Sequence, residues 1–169
     1  CTNISKIEIP DSAKYIGYRA FYGCSSLSSI NIPANVTYIG ESAFKGCDQL
    51  NYIKVAEDSE KYVSEDGVLF DKNKTELVCY PSNKIDVNEY SIPNTVIEIR
   101  ESAFYRCTSL VKIEIPKTVT AIGFSAFEGC ENLESINIPN SIQMIENATF
   151  KYCRKLNEIV IPESVTSIG

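Results

Sequence analysis

Hydrophobic positions recur along this chain with a period of 23 residues. Read from Leu27, the pattern is Leu-x-x-Ile-x-Ile-Pro-x-x-Val-x-x-Ile-Gly-x-x-Ala-Phe-x-x-Cys, and Leu50 restarts it. Leu110 and Leu133 open equally clear copies. Ile4 opens an earlier one, and Leu156 opens a copy that stops at Gly169. One column holds Ile7, Ile30, Ile53, Ile113, Ile136 and Ile159; another holds Ile16, Ile39, Ile99, Ile122, Ile145 and Ile168.

Each part of the unit predicts an element. Ile-x-Ile alternation is a short strand with one face inward. The following proline has no N–H to donate and ends it. Val-x-x-Ile-Gly reads as a second short extended segment. Ala-Phe-x-x-Cys spaces Ala and Cys four residues apart, which predicts a single helical turn with both on one face. A coil of this size cannot bury its own apolar side, so successive coils must stack and share a core. The pattern predicts an α/β solenoid: a right-handed superhelix of about seven coils. Parallel strands are expected on the concave face, about 4.8 Å apart. The residues between the isoleucines should form one continuous outward-facing sheet. Phe44, Phe104 and Phe127 are expected to stack inside.

The rhythm breaks once. From Leu50 to Val87 the chain spends one period plus 14 residues. Within residues 57–86, Gly67-Val-Leu-Phe70 and Thr75-Glu-Leu-Val-Cys-Tyr80 are strand-like, and Asp71-Lys-Asn-Lys74 joins them, which predicts a β-hairpin insertion. Tyr90 and Ile92 then re-enter the isoleucine columns. Residues 1–169 are expected to be one solenoid that starts and ends in mid-repeat, a segment of a longer array.

The repeat and the stretches Asp66-Gly67-Val68-Leu69-Phe70 and Leu77-Val78-Cys79-Tyr80-Pro81 resemble the BspA-like, or Treponema-type, leucine-rich-repeat family of surface proteins. The likeness covers nearly the whole chain. It implies a cell-surface or secreted location and attachment to host matrix proteins, host cells or other microbes. Departures are few: Ala56 in the proline column, Arg100 and Glu146 in the glycine column, Thr149 in the alanine column. They read as positions the fold tolerates.

Charge and composition narrow the function. The formal net charge is −6 with no basic stripe, which argues against nucleic acid as a partner. No apolar run is long enough for membrane insertion of this segment. The chain has no histidine, the commonest general base and metal ligand. No enzyme activity, cofactor or metal is therefore expected. The carboxylates Glu57, Asp58, Glu60, Glu65 and Asp66 read as a solvated loop, with a carboxylate-based enzyme as the remote alternative. Asp71-x-Asn73-x-Thr75 resembles a calcium loop but carries Glu76 and Ser82 where glycine and an acidic ligand belong.

Of the seven cysteines, Cys1, Cys24, Cys47, Cys107, Cys130 and Cys153 close successive units. No close Cys pair suited to zinc occurs. Core packing alone explains the column, so reduced and buried thiols are expected, with disulfides as the alternative. Cys79 falls outside it. Of four Asn-x-Ser/Thr sequons, Asn73 at the hairpin tip is the best placed for glycosylation.

The remaining candidate is the outward strand face, with Asn31, Tyr52, Lys54, Glu89, Lys112, Glu114 and Asn137 as partner-binding residues. Extended faces of repeat proteins serve as binding surfaces. The hairpin is a second candidate surface. The expected function is a protein-interaction module, adhesive toward a host matrix or cell-surface protein. The alternative is a structural spacer that carries another domain.

Overall fold

The computed structural model describes all 169 residues. Its regular elements are fifteen short strands, with no helix. The Ile-x-Ile segments supply β1 (Lys6–Ile7), β3 (Ser29–Ile32), β5 (Tyr52–Val55), β9 (Glu89–Ser91), β11 (Lys112–Glu114) and β13 (Ser135–Ile136). The second extended segments supply β2 (Tyr15–Ile16), β4 (Tyr38–Ile39), β10 (Glu98–Ile99), β12 (Ala121–Ile122), β14 (Met144–Ile145) and β15 (Ser167–Ile168). The insertion supplies β6 (Tyr62–Glu65), β7 (Val68–Asp71) and β8 (Glu76–Cys79).

Outside the insertion, strands pair in parallel and one period apart, as in Ile7↔Ile30↔Ile53 and Ile113↔Ile136. Period-2 alternation then buries one side of each strand, visible in β3 and β5 as exposed–buried–exposed–buried. The result is a β-solenoid of about seven turns.

The expected helical turn does not form. Ala43 and Cys47 are both buried, yet the chain between them is a pair of tight turns. Residues in the left-handed region flank it: Ser42 at φ 55° and Gly46 at φ 79°, with Ser102 and Arg106, or Ser125 and Gly129, doing the same in later coils. Such residues interrupt a right-handed helix. The backbone donors also find other partners. Alternate N–H groups bond three residues back, as Cys47 to Phe44 and Lys45 to Ser42, while Arg19, Phe21 and Gly23 donate to Glu41, Ala43 and Lys45 of the next coil. This coil-to-coil ladder takes donors that an α-helix would use internally. An i, i+4 spacing with both residues buried fits either geometry, so the α/β expectation gives way to an all-β one.

The insertion holds more than a hairpin. β7 and β8 pair antiparallel, and β6 adds a third antiparallel strand on the far side of β7. The sequence pattern passes over β6 because Tyr62-Val-Ser-Glu65 lacks the Ile-x-Ile rhythm. β8 then joins the second strand column, with Leu77 beside Ile99. Both faces of β7 and β8 are covered: Val68, Phe70, Leu77 and Tyr80 pack on the core of the later coils, and Leu69, Val78 and Cys79 on that of the earlier coils. The meander is a partition between two half-cores, exposed at its tip, Lys72 and Asn73, and at the corner Glu65-Asp66.

This coil also omits the Ala-Phe-x-x-Cys turn. Tyr80 takes the phenylalanine's place, stacked on Phe104 at 5.1 Å between ring centres. Phe104, Phe127 and Phe150 continue the stack, whereas Phe21 and Phe44 form a separate pair. The expected single aromatic column is thus cut in two. Cys79, placed outside the ladder on spacing alone, is buried, and its thiol lies 3.7 Å from the same Tyr80 carbonyl to which Cys107 points at 3.7 Å.

With one turn missing, the turns of the flanking coils meet. Ser42 Oγ lies 3.1 Å from Ser102 Oγ and donates to Glu101 at 2.6 Å. Arg100 reaches across to the carbonyl of Ile39 at 2.9 Å and to the carboxylate of Glu41. The glycine column has a steric cause elsewhere: a Cβ on Gly123 would sit 2.6 Å from the backbone nitrogen of Glu101 in the preceding coil. Arg100 follows the shortened coil, where the missing turn leaves room for a side chain. It is a bridge, which corrects the reading of this departure as mere tolerance.

Candidate interaction surface

The strand face is two three-stranded sheets, β1-β3-β5 and β9-β11-β13, and the expected continuity is lost between them. The corner at Asp66-Gly67 fills the gap, where the Gly67 carbonyl accepts from Ile53 N at 3.1 Å. Gly67 has φ 81°, and a Cβ there would lie 2.7 Å from the ring of Tyr52. That close approach lays Tyr52 over the corner with 46% of its surface still exposed.

On the first sheet Asn31 and Lys54 are direct neighbours in register, as are Ser29 and Tyr52, and all four are exposed. On the second sheet Glu89 neighbours Lys112, and Ser91 neighbours Glu114. Lys112 Nζ contacts Glu114 at 2.7 Å, and Ser91 Oγ donates to Glu114 at 3.0 Å. The hydrogen bonds from Lys112 and Ser91 hold the Glu114 carboxyl below its ordinary range, and the same ion pair pushes Lys112 up. Asn137 differs from the rest. Its Oδ1 accepts from Ile115 N at 2.8 Å and its Nδ2 donates to Ile115 O at 2.7 Å. The side chain continues the backbone ladder just past the end of β13. The strand face therefore brings Asn31, Tyr52 and Lys54 together on one sheet, and Glu89, Lys112, Glu114 and Asn137 on the other.

At the hairpin tip, Asn73 is exposed, and the Asp71 carboxylate accepts from Thr75 Oγ1 at 2.8 Å and Glu76 N at 2.6 Å. Asp71 thus closes the loop on itself, a local role that competes with any calcium-ligand role. Of the acidic residues in the irregular coil, Glu65 pairs with Lys74 at 2.8 Å, while Glu57, Asp58, Glu60 and Asp66 are exposed. No group of three or more Cys, Asp or Glu side chains is arranged to hold a metal ion. No helix is long and apolar enough to cross a membrane.

Cys24, Cys47, Cys79, Cys107 and Cys130 line the interior and Cys153 is half-buried, but Cys1 is exposed, so the expectation of a wholly buried column fails at its first member. Cys47, Cys130 and Cys153 each donate to the phenylalanine carbonyl of the preceding coil, at 3.1, 3.1 and 3.2 Å, and Cys107 points to the Tyr80 carbonyl at 3.7 Å. Burial pushes the Cys47 and Cys153 thiols up to about 12, and Cys79 and Cys107 upward as well.

Sequence alone points to the strand face and passes over the turn face. All six cation–π contacts lie there, pairing Arg19, Lys45, Arg106 and Lys151 with Tyr18, Tyr22, Tyr105, Phe124 and Tyr152. The available signal was an aromatic or basic residue in turn columns that hold serine, glutamate or glycine in other coils.

The sequence profile of the BspA type leucine rich repeat region matches residues 1–85 and 79–169. Among solved structures, a leucine rich cell surface protein from Faecalibacterium prausnitzii is 38% identical with a TM-score of 0.88, over 95% of this chain and 42% of that one. The pneumococcal vaccine antigen PcpA is 32% identical with a TM-score of 0.87, over 92% and 38%. The Treponema pallidum leucine rich repeat protein is 30% identical with a TM-score of 0.57, over 98% and 71%. The chain spans about two fifths of the first two proteins' length. A comparison with curated protein sequences finds no match.

Proposed function

The chain belongs to the BspA-type leucine-rich-repeat family, and on that premise we propose that it is a cell-surface or secreted interaction module that adheres to a host matrix or cell-surface protein. The observation that carries this reading is the register of the strand face. Asn31 beside Lys54, Ser29 beside Tyr52 and Glu89 beside Lys112 place polar side chains from separate coils one strand apart on a rigid ladder. Such a ladder makes many shallow contacts, each weak, and their linkage raises effective concentration. The surface description of the Faecalibacterium prausnitzii relative and the antigen description of PcpA support the location. Catalysis is no part of this reading, because the chain has no histidine and its loop carboxylates are solvated or ion-paired.

The test is binding of the 169-residue chain, as monomer and as a surface-tethered array, to immobilised fibronectin, laminin and collagen. The array should be retained where the monomer barely holds, and Tyr52→Ala with Lys54→Ala should reduce retention. Equal retention of array and double variant would replace adhesion by the spacer role.

A further inference from the structure

We propose that Ser29, Asn31, Tyr52 and Lys54 form a binding site for a carboxylate-bearing sugar of a glycan. The inference rests on the strand face being the interaction surface, and it names what that face recognises. The four residues mark the corners of a rectangle: Ser29 is in register with Tyr52 across β3 and β5, and Asn31 with Lys54. Its sides are one strand spacing and two residues long, about 4.8 by 6.8 Å, which is the footprint of one pyranose ring.

Tyr52 supplies a platform. A Cβ on Gly67 would lie 2.7 Å from Cδ2 of the ring and nearly as close, 3.1 and 3.2 Å, to Cε2 and Cγ. Approach in the plane of the ring would leave those two carbons well behind, so Gly67 lies against the ring's face. It covers that face with backbone and holds the ring in place. The Gly67 carbonyl accepts from Ile53 N on the side of β5 away from β3, so the free face turns toward Ser29, a small exposed side chain. The ring keeps 46% of its surface exposed. An aromatic face carries partial negative charge, and the axial C–H bonds of a pyranose present the complementary positive charge.

The polar heads around the ring are uncommitted. On the strand face, Lys6 pairs with Glu8 at 2.9 Å and Lys112 with Glu114 at 2.7 Å, whereas Lys54 has no carboxylate within 4.0 Å. Ser91 and Asn137, which hold the column of Asn31 in the second sheet, spend their side chains on Glu114 and Ile115. Asn31 and Ser29 make no such bond. An ammonium, an amide and a hydroxyl beside an aromatic face match the carboxylate, the hydroxyls and the C–H face of an acidic sugar together. A peptide side chain anchors best in an apolar hollow, and the exposed residues around Tyr52, namely Ser29, Asn31, Asn51 and Lys54, are all polar. With a formal net charge of −6, the molecule at large repels an anion, so capture of one reports Lys54.

The experiment is titration of the 169-residue chain with sialyllactose, a hyaluronan tetrasaccharide and lactose, followed by saturation-transfer NMR and by the Tyr52 ring resonances. Lactose lacks the carboxylate. At least one acidic sugar should bind and shift the Tyr52 ring. Which one binds separates a sialylated cell-surface glycan from a uronate-containing matrix glycan. Tyr52→Ala should weaken binding about tenfold, the size of a lost stacking contact, and Tyr52→Phe should keep it. Lys54→Gln should bring the acidic sugar down to the affinity of lactose. Lys117→Ala, outside the rectangle, should bind as the parent does. Equal binding of lactose and the acidic sugars overturns the proposal, as does full binding by Tyr52→Ala or no binding of either acidic sugar. The adhesion reading fails separately. Retention of the tethered array on fibronectin stripped of its glycans, with no acidic sugar bound, overturns the sugar site and leaves protein adhesion in place. Sugar binding without retention on any matrix protein keeps the site and ends the reading of a protein partner.

Discussion

Arg100 holds Glu41 across the shortened third coil: its Nε donates to Glu41 Oε1 at 2.9 Å, and its Nη2 contacts the same oxygen and the Ile39 carbonyl. The arginine side chain is 9% exposed and the glutamate 39%. Two coils that are not consecutive in sequence are joined by one residue in a column that otherwise prefers glycine.

Arg100→Gly restores the repeat's usual residue, and by consensus logic should stabilise. The bridge predicts the reverse. Removing the guanidinium strands the Ile39 carbonyl and uncovers Glu41, a loss of about 2–3 kcal/mol, discounted from the fully buried case for the exposure of Glu41. Urea unfolding of the variant checks it, and an unchanged or raised midpoint would show that the bridge contributes nothing.

Phe104 is fully buried and stacked between Tyr80 and Phe127, 5.1 Å from each. Phe104→Ala should cost about 3–5 kcal/mol. Phe44 has one recorded stacking partner, Phe21 at 5.7 Å, and retains 7% exposure. Phe44→Ala should therefore cost less. Equal losses would mean that the insertion does not divide the stack.

The buried thiols make the fold sensitive to alkali. Cys47 and Cys153 titrate near 12 when folded, above the ordinary thiol value near 9. A group whose folded value is raised contributes stability that is fully present below its unfolded value and lost as pH rises through the folded one. Stability should thus decline between about pH 9 and pH 12. Burial raises Tyr80 and Tyr90 too, which acts in the same direction. Denaturation midpoints across this range check it, and Cys47→Ala should flatten the decline. At neutral pH, the exposed Cys1 should react with a thiol reagent at once, and Cys24, Cys47, Cys79, Cys107 and Cys130 only on unfolding.

The strand columns were legible because Ile30, Ile53 and Ile113 recur at one spacing and each faces inward for the same local reason. The hairpin was legible from Gly67 to Tyr80 because β-rich runs flank a polar loop. What stayed hidden depends on contacts between residues far apart in the chain. The rung filled by Cys79, the antiparallel β6 and the bridge from Arg100 all follow from a coil that skips its turn. No 23-residue column records that skip. The turn geometry was hidden for a different reason: Ala43 and Cys47 have helical spacing, and the left-handed Ser42 that prevents a helix carries no obligatory residue type. On the candidate surface, the sequence placed Asn31 and Asn137 in one outward column and could not separate a free amide from a committed one.

Those two asparagines make the last prediction. Both stand between inward isoleucines, and both are exposed. Asn137 exchanges two hydrogen bonds with the backbone of Ile115, at 2.8 and 2.7 Å. Asn31 instead lies within β3, where the backbone itself pairs in register with Lys54 of β5. Asn137→Ala should remove both bonds and leave the N–H and C=O of Ile115 to solvent, a loss of about 1–2 kcal/mol. Asn31→Ala should fall within about 0.5 kcal/mol of the parent, as a surface substitution clear of such features does. Hydrogen exchange gives the sharper readout, because the Ile115 amide should lose protection in Asn137→Ala while that of Ile113 keeps it. If both variants unfold alike and Ile115 stays protected, the amide of Asn137 is free for a partner and belongs with Tyr52 and Lys54 in the proposed binding surface.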